Sequence, residues 1–454
     1  MYDKDCTYTA PSRTPVPKKR RSDRNDEMTV SNMQGRLGQL ESLVQQMSER
    51  LDVVEKRHEV EPPLQHDNVI GIARVMPLNV TRSEDDNTSP KALNLPPMDL
   101  VLPVVQIYLQ DFNSILPLFH AGTLLRLTHD FYSVGPLQRD PIVWAAINVV
   151  LALARRHHLV TSHDIPSVAV CLSRAETVFS RLVLGDNIQL LNIQVLVGMV
   201  MLLQAAQDIK PALILITTTI RLAHGIRLHD QTYSTHLDAP QMRQRAYVFW
   251  LVYILDKDLS MRSKQASIQI DDDINLELPS QTVLQPTEDL SEIDGSDGTL
   301  GVMTTADGAV KMNYFTARIQ LAAVEGAVYD YIYSTRSRKR SAEERAHALQ
   351  SVASALEQWK ASIPSEFTAS AGSRRVALTM LRFLRALHST SLTCTTLIYQ
   401  AHAWDVEWVA SVRRYGSQGI QPLLPPKWDV LVGEARDLLV VFGALGEFDR
   451  WNFW

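Results

Sequence analysis

The chain has 454 residues, 45% apolar and 21% charged, with a formal net charge of −5. That length suits two to four domains or one large helical body with appendages, and the balance excludes a disordered, fibrous or grossly basic protein. Cys6, Cys171 and Cys394 are too few for a disulfide framework, the start is charged, and the longest apolar run is Val195 to Leu203, so the expectation is a soluble intracellular chain with no signal peptide and no membrane partner.

Charge is segregated at the beginning. Pro11 to Arg24 holds six basic residues and one acid, and its prolines and serines without periodicity predict a disordered linker. Lys18, Lys19, Arg20 and Arg21 are the cluster within it, suited either to phosphate contact or to nuclear import. From Val30 the pattern changes. Val30, Met33, Leu37, Leu40, Val44, Met47, Leu51 and Val54 alternate spacings of three and four residues, the seam of a coiled coil held for about four heptads. With Leu37 at an a position, Arg36 would face Glu41 and Arg50 would face Glu55 in a parallel dimer, two pairs of opposite sign. A single amphipathic helix folded back on the body is the other reading of the same stripe.

Residues 61 to 97 contain six prolines and the patch Glu84-Asp85-Asp86, a flexible tether by composition. A main body follows from Met98. Asp140-Pro141 predicts an N-cap and first helical position, opening an apolar helix that closes on Arg155, Arg156, His157 and His158. Further helices are predicted over 168–184, 188–207, 211–228, 241–263, 313–334, 341–362, 374–403 and 427–445. Ser341 and Glu344 have capping-box spacing ahead of a stripe formed by Ala346, Leu349, Val352, Leu356, Trp359 and Ile363. No stretch alternates with period two long enough to predict a strand. Residues 281 to 312 carry six acids, no base before Lys311 and several glycines, which predicts an acidic loop inserted in the body. The fold class expected is all-α.

Catalytic templates are missing: there is no G-x-S-x-G, H-E-x-x-H, P-loop or strand-linked G-x-G-x-x-G. Asp271-Asp272-Asp273 offers carboxylates to a hard cation, but consecutive side chains diverge and no second acidic motif completes a shell, so a turn or cap suits the run better. That lack also argues against a helical metal-dependent synthase. Asp256, Lys257 and Asp258 follow an apolar run and read as a charged rim, with Arg243, Arg245 and Arg262 as ion-pair candidates. His157, His158 and His163 suit a helix C-terminus better than a zinc site. No enzyme is expected.

Several segments together resemble one family. Lys4-Asp5-Cys6-Thr7-Tyr8, the cluster Lys18 to Arg21, Pro117-Leu118-Phe119-His120 with Leu124, Ala223 to Leu228, Arg245 to Trp250, Tyr253 to Asp258, Asp271 to Pro279, Trp359 to Phe367 and Leu387 to Trp408 are similar to segments of the fungal binuclear zinc-cluster transcription factors. The resemblance implies a remnant of a six-cysteine zinc module over 1–10 with Cys6 as its last cysteine, a basic linker over 11–29, a dimerisation helix over 30–58 with Leu37, Leu40, Val44, Met47, Leu51 and Val54 at the seam, a linker over 59–97 and a helical regulatory domain over 98–454. It implies a nuclear regulator of polymerase II genes in a metabolic or secondary-metabolite pathway, with DNA as partner, a homodimer or a heterodimer with related regulators, and a small-molecule effector between the helices. Zinc is expected only if the five further cysteines stand upstream of Cys6. A chain that starts downstream of its true beginning, and ends short of an acidic activation tail at Trp454, is one expectation; a scaffold or dominant-negative partner of complete relatives that reads no DNA is the alternative.

Overall fold

The structure is a computed structural model that describes residues 93–279, 300–402 and 428–444, with positions 410 and 414. It is helical almost throughout. Helix α1 (Met98–Tyr108) runs into a π turn, Leu109–Asn113, and Asn113 closes the loop beyond it by donating to Phe119 O at 2.8 Å and accepting from Phe119 N at 2.8 Å. α2 (Ala121–Ser133) follows, with His120 as N-cap accepting from Thr123 N. α3 (Pro141–Arg156) opens as the sequence predicts: the Asp140 carboxylate accepts from Ile142 N at 2.7 Å and Val143 N at 3.3 Å, with proline at the first position.

Next come α4 (Val168–Thr177) and α5 (Phe179–Leu184). The sequence predicts one helix here, but Val178, at φ −103° and ψ 10°, breaks it, and the Thr177 hydroxyl donates to Arg174 O just before the break, a local bond that competes with helix propagation. α6 (Leu190–Leu203) and α7 (Lys210–Gly225) precede α8 (Ala239–Ser263), which Asp238 caps by accepting from Gln241 N.

α3 and α6 are the centre of the body. Every residue from Val143 to Ala154 and from Asn192 to Leu203 is buried, as expected of helices that are apolar all round, and each buried valine or leucine contributes about 1.5–3 kcal/mol. Their axes approach closely because Gly198 faces Val149: a Cβ at Gly198 would lie 2.3 Å from Val149 Cγ1. Three connections turn on a non-glycine residue in the left-handed region, at His158, Arg227 and Lys264, each completed by a backbone bond back into the preceding helix such as Gln265 N to Ser260 O at 3.0 Å.

Residues 300–313, at the end of the segment read as an acidic loop, form a small antiparallel hairpin of β1 (Val302–Thr304) and β2 (Lys311–Asn313), with Met303 opposite Met312. Three-residue strands are too short to leave an alternation signal. Gly301 pins the hairpin to the body: at φ +77° its N–H donates to Ser114 O at 2.7 Å and its carbonyl accepts from Phe315 N, and a Cβ there would strike Phe315.

α9 (Tyr314–Val328) continues into a second π turn, Tyr329–Tyr333, and a single turn α10 (Thr335–Arg338). α11 (Ala342–Ser362) begins with the predicted capping box, Glu344 N donating to Ser341 Oγ and Ser341 N to Glu344 Oε2. Its buried face is Ala348, Val352, Leu356 and Trp359; Ala346 is exposed, because the stripe is displaced by two residues at its first turn. Trp359 Nε1 donates to Ala317 O at 2.9 Å, locking α11 to α9. α12 (Ala369–Arg375), α13 (Leu378–His402) and α14 (Trp428–Ala444) complete the described elements. No helix among the described residues is long and apolar enough to cross a membrane.

Candidate functional site

The apolar run of α8 ends at Asp256-Lys257-Asp258, and the structure overturns the reading of these residues as a rim: they are 1%, 2% and 2% exposed. Consecutive helical residues point about 100° apart, so each enters a different neighbourhood. The Asp256 carboxylate accepts from Ile268 N at 3.0 Å and Gln269 N at 2.9 Å; burial raises its pKa against the lowering effect of those bonds. Lys257 Nζ donates to Gln269 O at 2.9 Å and Ser267 Oγ at 3.0 Å and pairs with Asp271 Oδ1 at 2.7 Å. Both residues therefore clamp the segment after α8 back onto the helix. Gly326 of α9 makes the room, since a Cβ there would meet the Lys257 stem at 3.0 Å.

Asp258 faces the other way. Its carboxylate lies 3.3 Å from Arg262 Nη1 and 3.8 Å from Arg318 Nη2, and Arg318 Nη1 lies 3.0 Å from Glu325 Oε1. Arg318 and Glu325 are 5% and 0% exposed. Burial disfavours charge on both, yet Glu325 and Asp258 together raise the Arg318 pKa; on Glu325 desolvation dominates the pull of Arg318, and its pKa rises. Of the ion-pair candidates named from sequence only Arg262 reaches this motif; Arg245 donates instead to Ser234 Oγ and Ile226 O.

Asp258 and Arg318 form part of the wall of a cavity of about 120 Å3, lined from the π turn after α1 and from α3, α6, α8, α9 and α13. Phe112, Leu251, Leu255 and Phe383 give it apolar walls. Arg156, Arg382 and Arg385 bring three further guanidinium groups to the same space. Arg382 donates to the carbonyls of His157 at 2.6 Å and Asp111 at 3.3 Å, the C-terminal ends of α3 and of the π turn, where a cation is favoured. His157, also on the wall, is held well below the usual histidine range by burial first and then by Arg382 and Arg156. Both effects favour the neutral imidazole there.

The other residues singled out in the sequence fall in two groups. Cys6, Lys18, Lys19, Arg20, Arg21, Leu37, Leu40, Val44, Met47, Leu51 and Val54 lie outside the described residues. Asp271–Asp273 form one 3-10 turn, as a turn or cap reading expects, and Asp271 is the counterion of Lys257. Asp273 joins His224 and His229 in a cluster unseen in the sequence, with potential ligand atoms within 4.8 Å of one another. The two imidazoles stack at 4.1 Å and His224 Nε2 is 2.6 Å from Gln269 Oε1, so the histidines already serve as packing. The cationic wall was also missed: Arg156, Arg382 and Arg385 sit in unrelated stretches of sequence, and the one available signal was Arg318 and Glu325 standing inside an otherwise apolar helix.

The class these elements define is a helical domain with a charged cavity between its helices. Residues 105–361 match the family described as the fungal specific transcription factor domain, and the chain belongs to that family. It is 32% identical over 337 residues to proteins named ABC-transporter-regulating transcription factor in Aspergillus oryzae and Aspergillus fumigatus, covering 73% of this chain and 36% of each relative. It is 25% identical over 251 residues to the Fusaridione A cluster transcription factor fsdR of Fusarium heterosporum, covering 55% of this chain and 44% of the relative. The chain thus spans just over a third of the length of the first two relatives. No solved structure matches it.

Proposed function

We propose that this protein is a nuclear regulator of polymerase II transcription that acts on the genes of one metabolic or secondary-metabolite pathway. The observation that carries the reading is the match of residues 105–361 to the family domain, supported by relatives named as regulators of transporter genes and of a metabolite cluster. In this reading Lys18 to Arg21 serve import or phosphate contact, the seam Leu37 to Val54 sets a parallel dimer, and the helical body is the regulatory part. Cys171 and Cys394 of the body are buried, and burial pushes both thiols up, that of Cys171 to about 11. In this reading Cys6 would be the last cysteine of a zinc cluster, and zinc enters only with five further cysteines before it.

The test joins chromatin occupancy of the tagged protein with the transcript profile of a deletion strain. The reading expects nuclear signal, occupancy at a small set of promoters and altered transcripts from a coherent group of genes. Unchanged transcripts with no nuclear signal would overturn it. Occupancy that disappears only when a complete zinc-cluster relative is deleted would move the function to a partner-borne regulator.

A further inference from the structure

We propose that the cavity between α3, α8, α9 and α13 is a binding site for a small organic anion, with a carboxylate or phosphate head against Arg156 and an apolar body against the wall that Phe112 and Phe383 form. Two independent observations carry this, the size and walls of the space and its distribution of charge.

The volume, about 120 Å3, is close to that of an engineered apolar cavity of about 150 Å3 that binds benzene. A molecule of roughly one ring fits. The walls toward Phe112, Leu251, Leu255 and Phe383 are apolar, and Phe112 and Phe383 pack against one another, ring centroids 5.9 Å apart and tilted by 47°, as one continuous surface. Such walls desolvate a flat or branched hydrocarbon body and leave its polar head to the other side.

Charge then decides which head. Asp258, the acid of the lining, is already matched by Arg262 and Arg318, and Arg318 is shared with Glu325, so Asp258 does not offset the rest of the wall. Arg156 is different. It ends α3 half-buried, its Nε is buried without a hydrogen-bond acceptor, and among the described residues no carboxylate lies within ion-pair distance. Arg382 lies on the same wall, where it donates to the backbone carbonyls of His157 and Asp111. The His157 pKa is lowered by burial first, and Arg382 and Arg156 lower it further. A planar fork of N–H donors in a partly dehydrated space is the arrangement that recognises an oxyanion in two-point fashion.

Binding itself does not depend on the reading of the protein as a transcription regulator; only the purpose of binding, a metabolite setting the activity of the regulatory domain, rests on it. The experiment therefore uses the purified full chain and measures binding directly, by calorimetry and by thermal unfolding at fixed ionic strength. The probes are benzoate, phenyl phosphate and, as a neutral match of the same shape, benzamide. The proposal expects benzoate or phenyl phosphate to raise the unfolding temperature and to bind at least about tenfold more tightly than benzamide, the better of the two identifying the head group. Arg156→Gln should remove that preference, Arg156→Lys should keep part of it, and Ala386→Leu, which fills the cavity and leaves the charges, should weaken all three probes. Equal responses to benzoate, phenyl phosphate and benzamide, or none, overturn the proposal on the unmodified protein, whatever the folding of the variants. That outcome leaves the transcriptional reading standing, whereas unaltered transcripts on deletion remove that reading and leave the binding result intact.

Discussion

Arg318 and Glu325, seven residues apart on one helix, meet at 3.0 Å inside the core, and the guanidinium reaches across to Asp258 on a neighbouring helix at 3.8 Å. Two buried acids share one buried base with additional help from Arg262. Such a group costs desolvation on every member, so removing a single member is far worse than removing several together.

Arg318→Met should destabilise the body by about 3–5 kcal/mol at a pH where Glu325 is ionised, because Glu325 then loses its cation and Asp258 keeps only the more exposed Arg262. Arg318→Met with Glu325→Met should recover a large part of that loss. Urea unfolding of the two single variants and the double variant checks it; a double variant as unstable as the sum of the singles would show that the three charges do not act as a unit.

The same Glu325 gives stability a pH dependence of defined sign. Burial raises its pKa from 4.5 to about 8 in the folded chain. Between those values the folded state holds a proton that the unfolded state has released, so stability falls as pH rises through the window and levels off above it. Below the ordinary glutamate range both states are protonated and the penalty vanishes. Asp256, also raised, adds to this fall, while Glu344 and Asp230, lowered by their hydrogen bonds, act in the opposite direction at lower pH. The contribution of Glu325 is therefore the difference between wild type and Glu325→Gln. That difference should grow in favour of the variant from about pH 5 to about pH 8, measured by unfolding at closely spaced pH values.

How much of this was legible depended on the reach of each signal in the chain. The Asp140-Pro141 start and the Ser341–Glu344 box lie within three residues, and both were read correctly, since the chemistry of a cap is local. The predicted face of α11 holds from Leu349 onward and fails at Ala346, since Ala346 and Ala348 are chemically alike and only packing chooses between them. The wall of the cavity was illegible. Arg156, Asp258, Arg318 and Arg382 come together only through the packing of four helices, and none of them names the others by its place in the sequence. Asp256-Lys257-Asp258 was noticed but placed outside, because a charged triplet is normally solvated; its partners, the Gln269 backbone and Asp271, are groups that no periodicity identifies in advance.

Gly198→Ala tests the contact between the two central helices. The added Cβ would stand 2.3 Å from Val149 Cγ1, so α3 and α6 must separate or Val149 must change rotamer, at a cost of about 1–3 kcal/mol. Pairing it with Val149→Ala should return part of the loss by removing the methyl that is struck. Thermal unfolding of the four combinations checks the coupling, and strictly additive losses would mean that the helices do not touch at this point.

Lys257→Met tests the clamp on the segment after α8. The substitution keeps most of the stem that lies over Gly326 but removes the donor to Gln269 O and Ser267 Oγ and the pair with Asp271. A buried carbonyl without its donor costs about 1–3 kcal/mol, and because Asp271 is half exposed, water can replace its lost partner at little further cost. Asp256 still accepts from the Ile268 and Gln269 amides, so the segment should loosen without detaching from the helix. Hydrogen exchange at those two amides should accelerate well beyond the global change in stability, while the amides of α3 and α6 change only with the global term. Uniform acceleration across the body would place Lys257 in the general core, and unchanged exchange at Ile268 and Gln269 would show that the Asp256 carboxylate alone holds the segment.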